Sequence, residues 1–350
     1  MIPTGWTTLL AGGALGLAAA AVPAPAQVGA PAPKVTPVTV KDFPRAESHM
    51  YFARTVREGA FGQLQHDRAP VAIDKQDVIR MNRDTLYSSG VFDLDAGPVT
   101  IVLPDTGKRF MALLVLNEEH YTRPVVYAPG TYSFTREQVG TRYMFAAVRT
   151  LANPTDPVDV KAANGAQDRI QVKQAERGRF AIPNWDAAAR DQIREALLVL
   201  AAKSGASTEE RFGAREQVDP IQHLLFTAAG WGGNPREAAV YTSVIPKSND
   251  GKTVHLLTVR DVPVDGFWSI SVYNAKGFFE KNRLESYSLN NLTARPNEDG
   301  SFTIQFGGCS AKTANCLVTP PGWSYVVRQY RPRRPILDGT WQFPEAKPAR

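Results

Sequence analysis

The sequence predicts a mainly β protein with helical segments, arranged as two successive β-sandwiches joined by a helical stretch. Three observations carry this expectation. Runs of strand length, apolar throughout or alternating, recur on both sides of residues 186–235. Turn-forming pairs such as Pro129-Gly130, Asp265-Gly266 and Asp299-Gly300 separate those runs. With 27 Gly and 26 Pro among 350 residues, turns and short elements are favoured over long helices. Hydrophobic residues make up 43% and charged residues 21%, so there is apolar mass for a sizeable core.

Residues 1–26 read as a signal peptide. Trp6 to Val22 has no charged side chain, and Ala24-x-Ala26 places small residues where a signal peptidase needs them. No Lys or Arg precedes the run. The competing reading is an anchor, but Pro23 and Pro25 end a run that is short for a bilayer span. Export to the periplasm or the medium is the expectation, with no later membrane span. Residues 27–40 are rich in Pro and Ala and read as a flexible tether.

An N-terminal domain is expected over 41–185. A helix from Pro44 to Glu58 has Asp42 as cap and Gly59 as stop, and a short helix is expected over Lys75 to Met81. Strands follow at Val99 to Leu103, Arg109 to Leu116 (nearly all apolar, hence central) and Arg142 to Arg149. A helical connector is expected over 186–235. Asp186 to Lys203 places Ile193, Ala196, Leu197 and Leu200 at helical spacing, and Asp219-Pro220 with Gln222 opens a second helix. The C-terminal domain, 236–350, shows strands at Thr253 to Val259, Phe267 to Tyr273, Ser301 to Phe306 and Ser324 to Tyr330, a jelly-roll-like sandwich. Cys309 and Cys316 lie close together in a Gly-rich turn, and in an exported chain they are expected to form a disulfide.

Several stretches together resemble one family. They are Met81-Asn82-Arg83-Asp84-Thr85-Leu86-Tyr87-Ser88, Glu119-His120-Tyr121, Gly230-Trp231-Gly232-Gly233-Asn234-Pro235, Asp265 to Asn274, and Tyr287-Ser288-Leu289-Asn290-Asn291. The chain resembles exported bacterial proteins that pair domain of unknown function 1254, N-terminal, with domain of unknown function 1214, C-terminal. The resemblance implies an immunoglobulin-like sandwich followed by a jelly-roll. It implies no activity.

Candidate sites therefore rest on chemistry. Asn82, Arg83, Asp84 and Tyr87 place an amide, a guanidinium, a carboxylate and a phenol within six residues. Arg83 suits a carboxylate or phosphate, and Asp84 suits a base. The bland alternative is a set of turn caps and a structural ion pair. Glu119, His120 and Tyr121 follow the apolar strand and offer an acid–base pair or a polarising group, against a plain loop with a half-buried histidine. Trp231, among glycines, suits a ligand face; Trp268 alternates with Ile270 and Val272 and reads as core. The catalytic candidates are thus Asp84, Glu119 and His120, and the ligand-binding candidates are Asn82, Arg83, Tyr87, Tyr121 and Trp231.

The absences narrow the classes. There is no G-x-S-x-G elbow, no H-E-x-x-H and no phosphate loop. The five His are scattered, so no metal and no cofactor are expected. The 40 basic and 34 acidic residues are interspersed, which speaks against nucleic acid. Three functions remain open: binding of a small polar or carbohydrate-like molecule between the domains, metal-independent enzyme chemistry, and a homo-oligomeric envelope role.

Overall fold

The computed structural model of the protein describes residues 34–76, 79–204 and 211–349. The expected signal peptide, 1–26, and residues 27–33 of the expected tether lie outside these residues. Helix α1 (Phe43–Arg57) is followed by β1 (Gln65–His66), β2 (Thr85–Asp93), β3 (Val99–Leu103) and β4 (Met111–Asn117). Then come β5 (Val126–Tyr127), β6 (Gly130–Phe134), α2 (Arg136–Val139), β7 (Tyr143–Leu151), α3 (Pro157–Asp168) and β8 (Gln171–Lys173). Helices α4 (Ala187–Ala201) and α5 (Pro220–Ala229) follow. The last part holds β9 (Ala239–Val244), β10 (His255–Val259), β11 (Trp268–Tyr273), β12 (Ser288–Asn290) and β13 (Phe302–Phe306). It ends with β14 (Cys316–Leu317), β15 (Ser324–Tyr330), α6 (Arg334–Leu337) and β16 (Lys347–Pro348).

The fold is mainly β with helical segments. In the N-terminal half a sheet ordered β1-β2-β7-β4-β5 packs on one ordered β6-β3-β8. Met111, Leu113, Val115, Met144, Ala146 and Val148 from the first meet Val99, Ile101 and Leu103 from the second. The opposite face of the larger sheet is also covered. There Leu114, Leu116, Tyr143 and Phe145 pack under Phe52 of α1. Burial on both faces explains why β4 is apolar throughout instead of alternating. In the C-terminal half the sheet β12-β11-β15-β9 packs on β14-β13-β10-β16. Trp268, Ile270, Val272, Ile304, Phe306 and Trp323 fill the space between them. No sheet closes into a barrel among the described residues.

Helices α1, α4 and α5 pack on one another over the larger N-terminal sheet, with Phe43, Leu197 and Leu225 at their contact. Asp219 caps α5 as expected, accepting from the Gln222 amide, and Asp186 caps α4 in the same way, accepting from the Ala189 amide. Three local expectations are corrected. Asp42 stands at the cap position of α1, but its carboxylate accepts from Thr39 instead of the helix amides. Of the helix expected over Lys75 to Met81, residues 77 and 78 lie outside the described residues, and the described ones are turn and coil. The inner face of α4 is the expected one only in part: Ile193 and Leu197 pack inward, whereas Ala196 and Leu200 are exposed and Arg190 and Arg194 point inward to the fully buried Glu47. The tether also ends earlier than 40, because Thr36 bridges in parallel to Trp185 and Val38 is buried.

From Val35 onward the chain is one compact unit. The reason lies in the second face of β11 and β15. Ser269, Ser271, Tyr273 and Arg328 are polar yet buried, because this face abuts the N-terminal half. Arg328 donates to Ser271 Oγ at 3.0 Å, to the Tyr273 hydroxyl at 2.7 Å and to the Arg80 carbonyl at 2.8 Å. The Tyr273 hydroxyl in turn donates to the Met81 carbonyl at 2.8 Å. Phe110 from the N-terminal half packs edge-on against Phe267. Cys309 and Cys316 are disulfide-bonded, as expected.

Candidate functional site

The eight candidate residues divide among three places. The first is a sealed cluster around His120, at the turn after β4. The backbone of His120 is left-handed, with φ 66°, which turns the chain back so that Tyr121 and Glu119 can both flank the histidine. Its ring is fully buried and sits 5.7 Å from Trp231 and 5.6 Å from His223, centroid to centroid.

The protonation of this ring follows from its neighbours. The Gly232 amide donates to His120 Nε2 at 2.9 Å, so that nitrogen carries a lone pair. The Thr227 hydroxyl donates to the His223 carbonyl, so it accepts from His120 Nδ1 at 2.9 Å. His120 is therefore neutral with both nitrogens occupied. Burial, joined by the charge of His223, drives its pKa well below the usual histidine value.

The other members of the cluster are equally engaged. Glu119 pairs with Arg45 of α1. Tyr121 stacks on His223 at 4.3 Å. Trp231 stacks on Tyr51 at 4.2 Å and donates to Ser48 Oγ at 3.1 Å, so it is wedged between α1 and the sheet and is no open ligand face. Beside it, Glu118 accepts from His49 Nε2 at 2.8 Å, and Trp185 donates to His49 Nδ1 at 2.9 Å. Burial pushes the Glu118 carboxyl up, but the His49 hydrogen bond, the Tyr143 amide and the charges of His49 and Arg45 hold it below its usual range.

The second place is the buried seam between the halves. Asp84 is fully buried at the start of β2, with Asn290 donating to Oδ1 at 3.3 Å. Burial pushes its carboxyl up, against the charge of Arg328, the nearby Ser269 hydroxyl, the Asn290 hydrogen bond and the charge of Arg83. Asn82 donates to the Tyr330 hydroxyl at 3.0 Å and accepts from the Asp84 amide at 2.6 Å. Tyr87 lies under the buried Arg149, whose guanidinium is 5.3 Å from the ring centroid. Arg149 reaches the Gly232 carbonyl at 2.9 Å and Asn234 Oδ1 at 3.1 Å, which ties the seam to the His120 cluster. Asp84 and His120 do not share a pocket.

The third place is open. Residues from the stretches around Pro70 to Asp74, Pro154 to Val160 and Lys281 to Tyr287, together with Arg83, border a cleft of about 640 Å³ between the halves. Arg83 lies in its wall with Asp74, Lys281, Glu285 and Tyr287. One Arg83 nitrogen donates to the Val71 carbonyl, and the guanidinium lies 5.4 Å from the Tyr287 ring centroid. No carboxylate forms an ion pair with Arg83 or with Lys281 among the described residues. Burial lowers the Arg83 pKa, against Tyr287, Glu285 and Asp84, whose charges favour the cation. Arginine stays protonated through such shifts, so the cleft keeps a half-buried guanidinium with unused donors.

Residues 61–174 match the model of a protein of unknown function, DUF1254, and residues 246–334 match that of a second, DUF1214. The chain thus carries DUF1254 followed by DUF1214, both domains of unknown function. Among curated proteins none matches the sequence. The fold is similar to that of the VPA0106 protein from Vibrio parahaemolyticus, with TM-score 0.67 and 18% identity over 89% of this chain and 98% of that one. It is also similar to an uncharacterised protein from Burkholderia cenocepacia, with TM-score 0.51 and 12% identity over 88% of this chain and 86% of that one.

The cleft is thus made by both domains. DUF1254 supplies Asp74, Arg83 and Pro157, and DUF1214 supplies Lys281, Glu285 and Tyr287. Of these, sequence reasoning singled out Arg83 as a ligand group and quoted Tyr287 only within a family motif. Lys281 and Glu285 sit in a charged run, Glu280 to Glu285, that reads as an ordinary solvated loop. Only the fold of β11 and β12 brings that loop across to Arg83.

Proposed function

We propose that the protein is an exported binding protein for a small anionic molecule, held in the cleft between its two domains. The observation that carries this reading is Arg83. Its half-buried guanidinium has one bond to a carbonyl, no ion pair among the described residues, and Lys281 in the same wall. A cation partly removed from water with no carboxylate in direct contact gains when an anion arrives, and an arginine fork suits carboxylate or phosphate. The cleft volume falls within the span typical of small-molecule sites, on the order of 300–1,000 Å³. Asp74 and Glu285 on the same wall would disfavour very highly charged anions and give the site selectivity.

Export is part of the proposal. The apolar N-terminal run and the closed disulfide suit an oxidising compartment. The acid–base reading of Asp84, Glu119 and His120 gains no support, because Asp84 lies in the seam, Glu119 is paired with Arg45, and both His120 nitrogens are taken up by Gly232 and Thr227. The test is titration calorimetry of the full chain with inorganic phosphate and succinate. Arg83→Ala should weaken any anion that binds by about ten- to a hundredfold, the worth of a hydrogen bond to a charged group. Unchanged affinity in Arg83→Ala would overturn the reading.

A further inference from the structure

At its far edge, away from Arg83, the seam meets solvent. Strands β2, β7, β4 and β5 set Tyr87, Arg149, Ala112 and Tyr127 in one row, each the cross-strand partner of the next. Cross-strand partners share a face of the sheet. The strands of Arg149 and Tyr127 lie about 10 Å apart, and only the methyl group of Ala112 stands between them. Two groups reach this recess from the C-terminal half. Tyr241 comes from β9, and Arg331 follows β15 with a left-handed backbone, φ 52°, which carries its guanidinium to 4.5 Å from the Tyr127 ring centroid. Tyr87, Tyr127 and Tyr241 are half-buried and Arg331 is exposed.

Arg149 forms the floor. It is buried, and no carboxylate forms an ion pair with it among the described residues. Its two terminal nitrogens donate to neutral oxygens, Asn234 Oδ1 and the Gly232 carbonyl. A buried cation with only neutral partners is costly to keep.

The hydroxyls nearby are donors without acceptors. Because Asn234 Oδ1 accepts from Arg149, its amide nitrogen faces Tyr241 and donates to that hydroxyl at 2.7 Å. The Tyr241 proton then has no acceptor among the described residues. The Tyr127 hydroxyl makes no hydrogen bond among them at all. Burial pushes the Tyr127 phenol up to about 12, against the charges of Arg331 and Arg149, so it remains a donor at neutral pH.

Two free hydroxyl donors and two guanidinium cations, with no carboxylate paired to either, call for an acceptor that carries negative charge. The tyrosine rings beside them offer apolar surface. We infer that this recess is a second binding site, for a small organic carboxylate with an apolar body: the carboxylate takes the Tyr127 and Tyr241 hydroxyls and Arg331, above the charge of Arg149, and the body lies against the tyrosine rings. The site is separate from the Arg83 cleft and does not depend on it.

The experiment is calorimetric titration of the full chain with benzoate, benzyl alcohol and inorganic phosphate. Benzoate should bind, and benzyl alcohol, which keeps the ring without the charge, should bind about tenfold or more weakly. Tyr127→Phe removes a hydroxyl that holds nothing in the free protein, so it should fold. It should weaken benzoate about three- to tenfold and leave phosphate unchanged. Arg331→Gln, at the exposed mouth, should weaken benzoate about two- to fivefold. Arg83→Ala should leave benzoate unchanged. Benzoate that binds no better than benzyl alcohol, or equally well to wild type, Tyr127→Phe and Arg331→Gln, overturns the second site. Benzoate weakened by Arg83→Ala and untouched by Tyr127→Phe also overturns it, by placing the molecule in the cleft.

Discussion

The His120 cluster and the Arg83 cleft hold the same kinds of side chain and put them to opposite uses. Around His120 the ring nitrogens, Thr227, Glu119 and Trp231 are each satisfied by the protein itself. At Arg83 the guanidinium and its neighbour Lys281 keep donors that no carboxylate has claimed. A rich polar motif marks a place where polar atoms are needed, and that need is internal whenever two layers must be joined. What distinguishes a binding place is the remainder after internal partners are counted.

The comparison is broken most severely at the seam that holds both regions in place. Arg328→Met should lower the unfolding free energy by about 3–5 kcal/mol, because Ser271, Tyr273 and the Arg80 carbonyl lose their buried donor and Asp84 loses the nearby positive charge. Chemical denaturation measures it, and a loss below about 1 kcal/mol would contradict the seam. His120→Ala should cost about 3 kcal/mol through a cavity and unsatisfied partners at Gly232 and Thr227, yet leave anion affinity at the cleft unchanged.

Asp84 offers a pH test of the same seam. Its folded carboxyl titrates above the unfolded value, so the folded chain holds an extra proton between the two. Stability should therefore fall as pH rises from about 4 through the folded value, then level off. The slope is at most about 1.4 kcal/mol per pH unit, and Asp84→Asn should remove it. Denaturation curves from pH 4 upward, compared between the two proteins, check the sign. The smallest expected effect on stability is that of Arg83→Ala, within about 1 kcal/mol, since its side chain holds only the Val71 carbonyl and the Tyr287 ring. A larger loss would move Arg83 to the structural side of the comparison.

How much of this was legible depends on whether a residue's partners are near in sequence. β15 and the inner faces of β10 and β13 follow from alternation or apolar runs, which are local signals. β2 was hidden because Ser88-Ser89-Gly90 reads as a turn; a Cβ at Gly90 would stand 2.3 Å from the Gln63 carbonyl oxygen, so glycine is there for a close approach. Ser269, Ser271 and Tyr273 have the pattern of a solvated strand face and are buried instead, by a domain about 190 residues upstream whose Met81 carbonyl takes the Tyr273 hydroxyl. Arg83 was singled out for an anion from its chemistry, and it lies in the wall of the cleft. Its separation from Asp84 was not, since adjacent residues at the head of β2 point to different sides, one to the cleft and one to the seam.

The most direct measurement is native mass spectrometry of the protein isolated from its own cells, beside Arg83→Ala and His120→Gln prepared in the same way. An anionic small molecule carried by the wild type and by His120→Gln, and lost from Arg83→Ala, is the result expected here. A molecule retained by Arg83→Ala and lost from His120→Gln would place the binding function in the cluster described as closed, and would contradict the account.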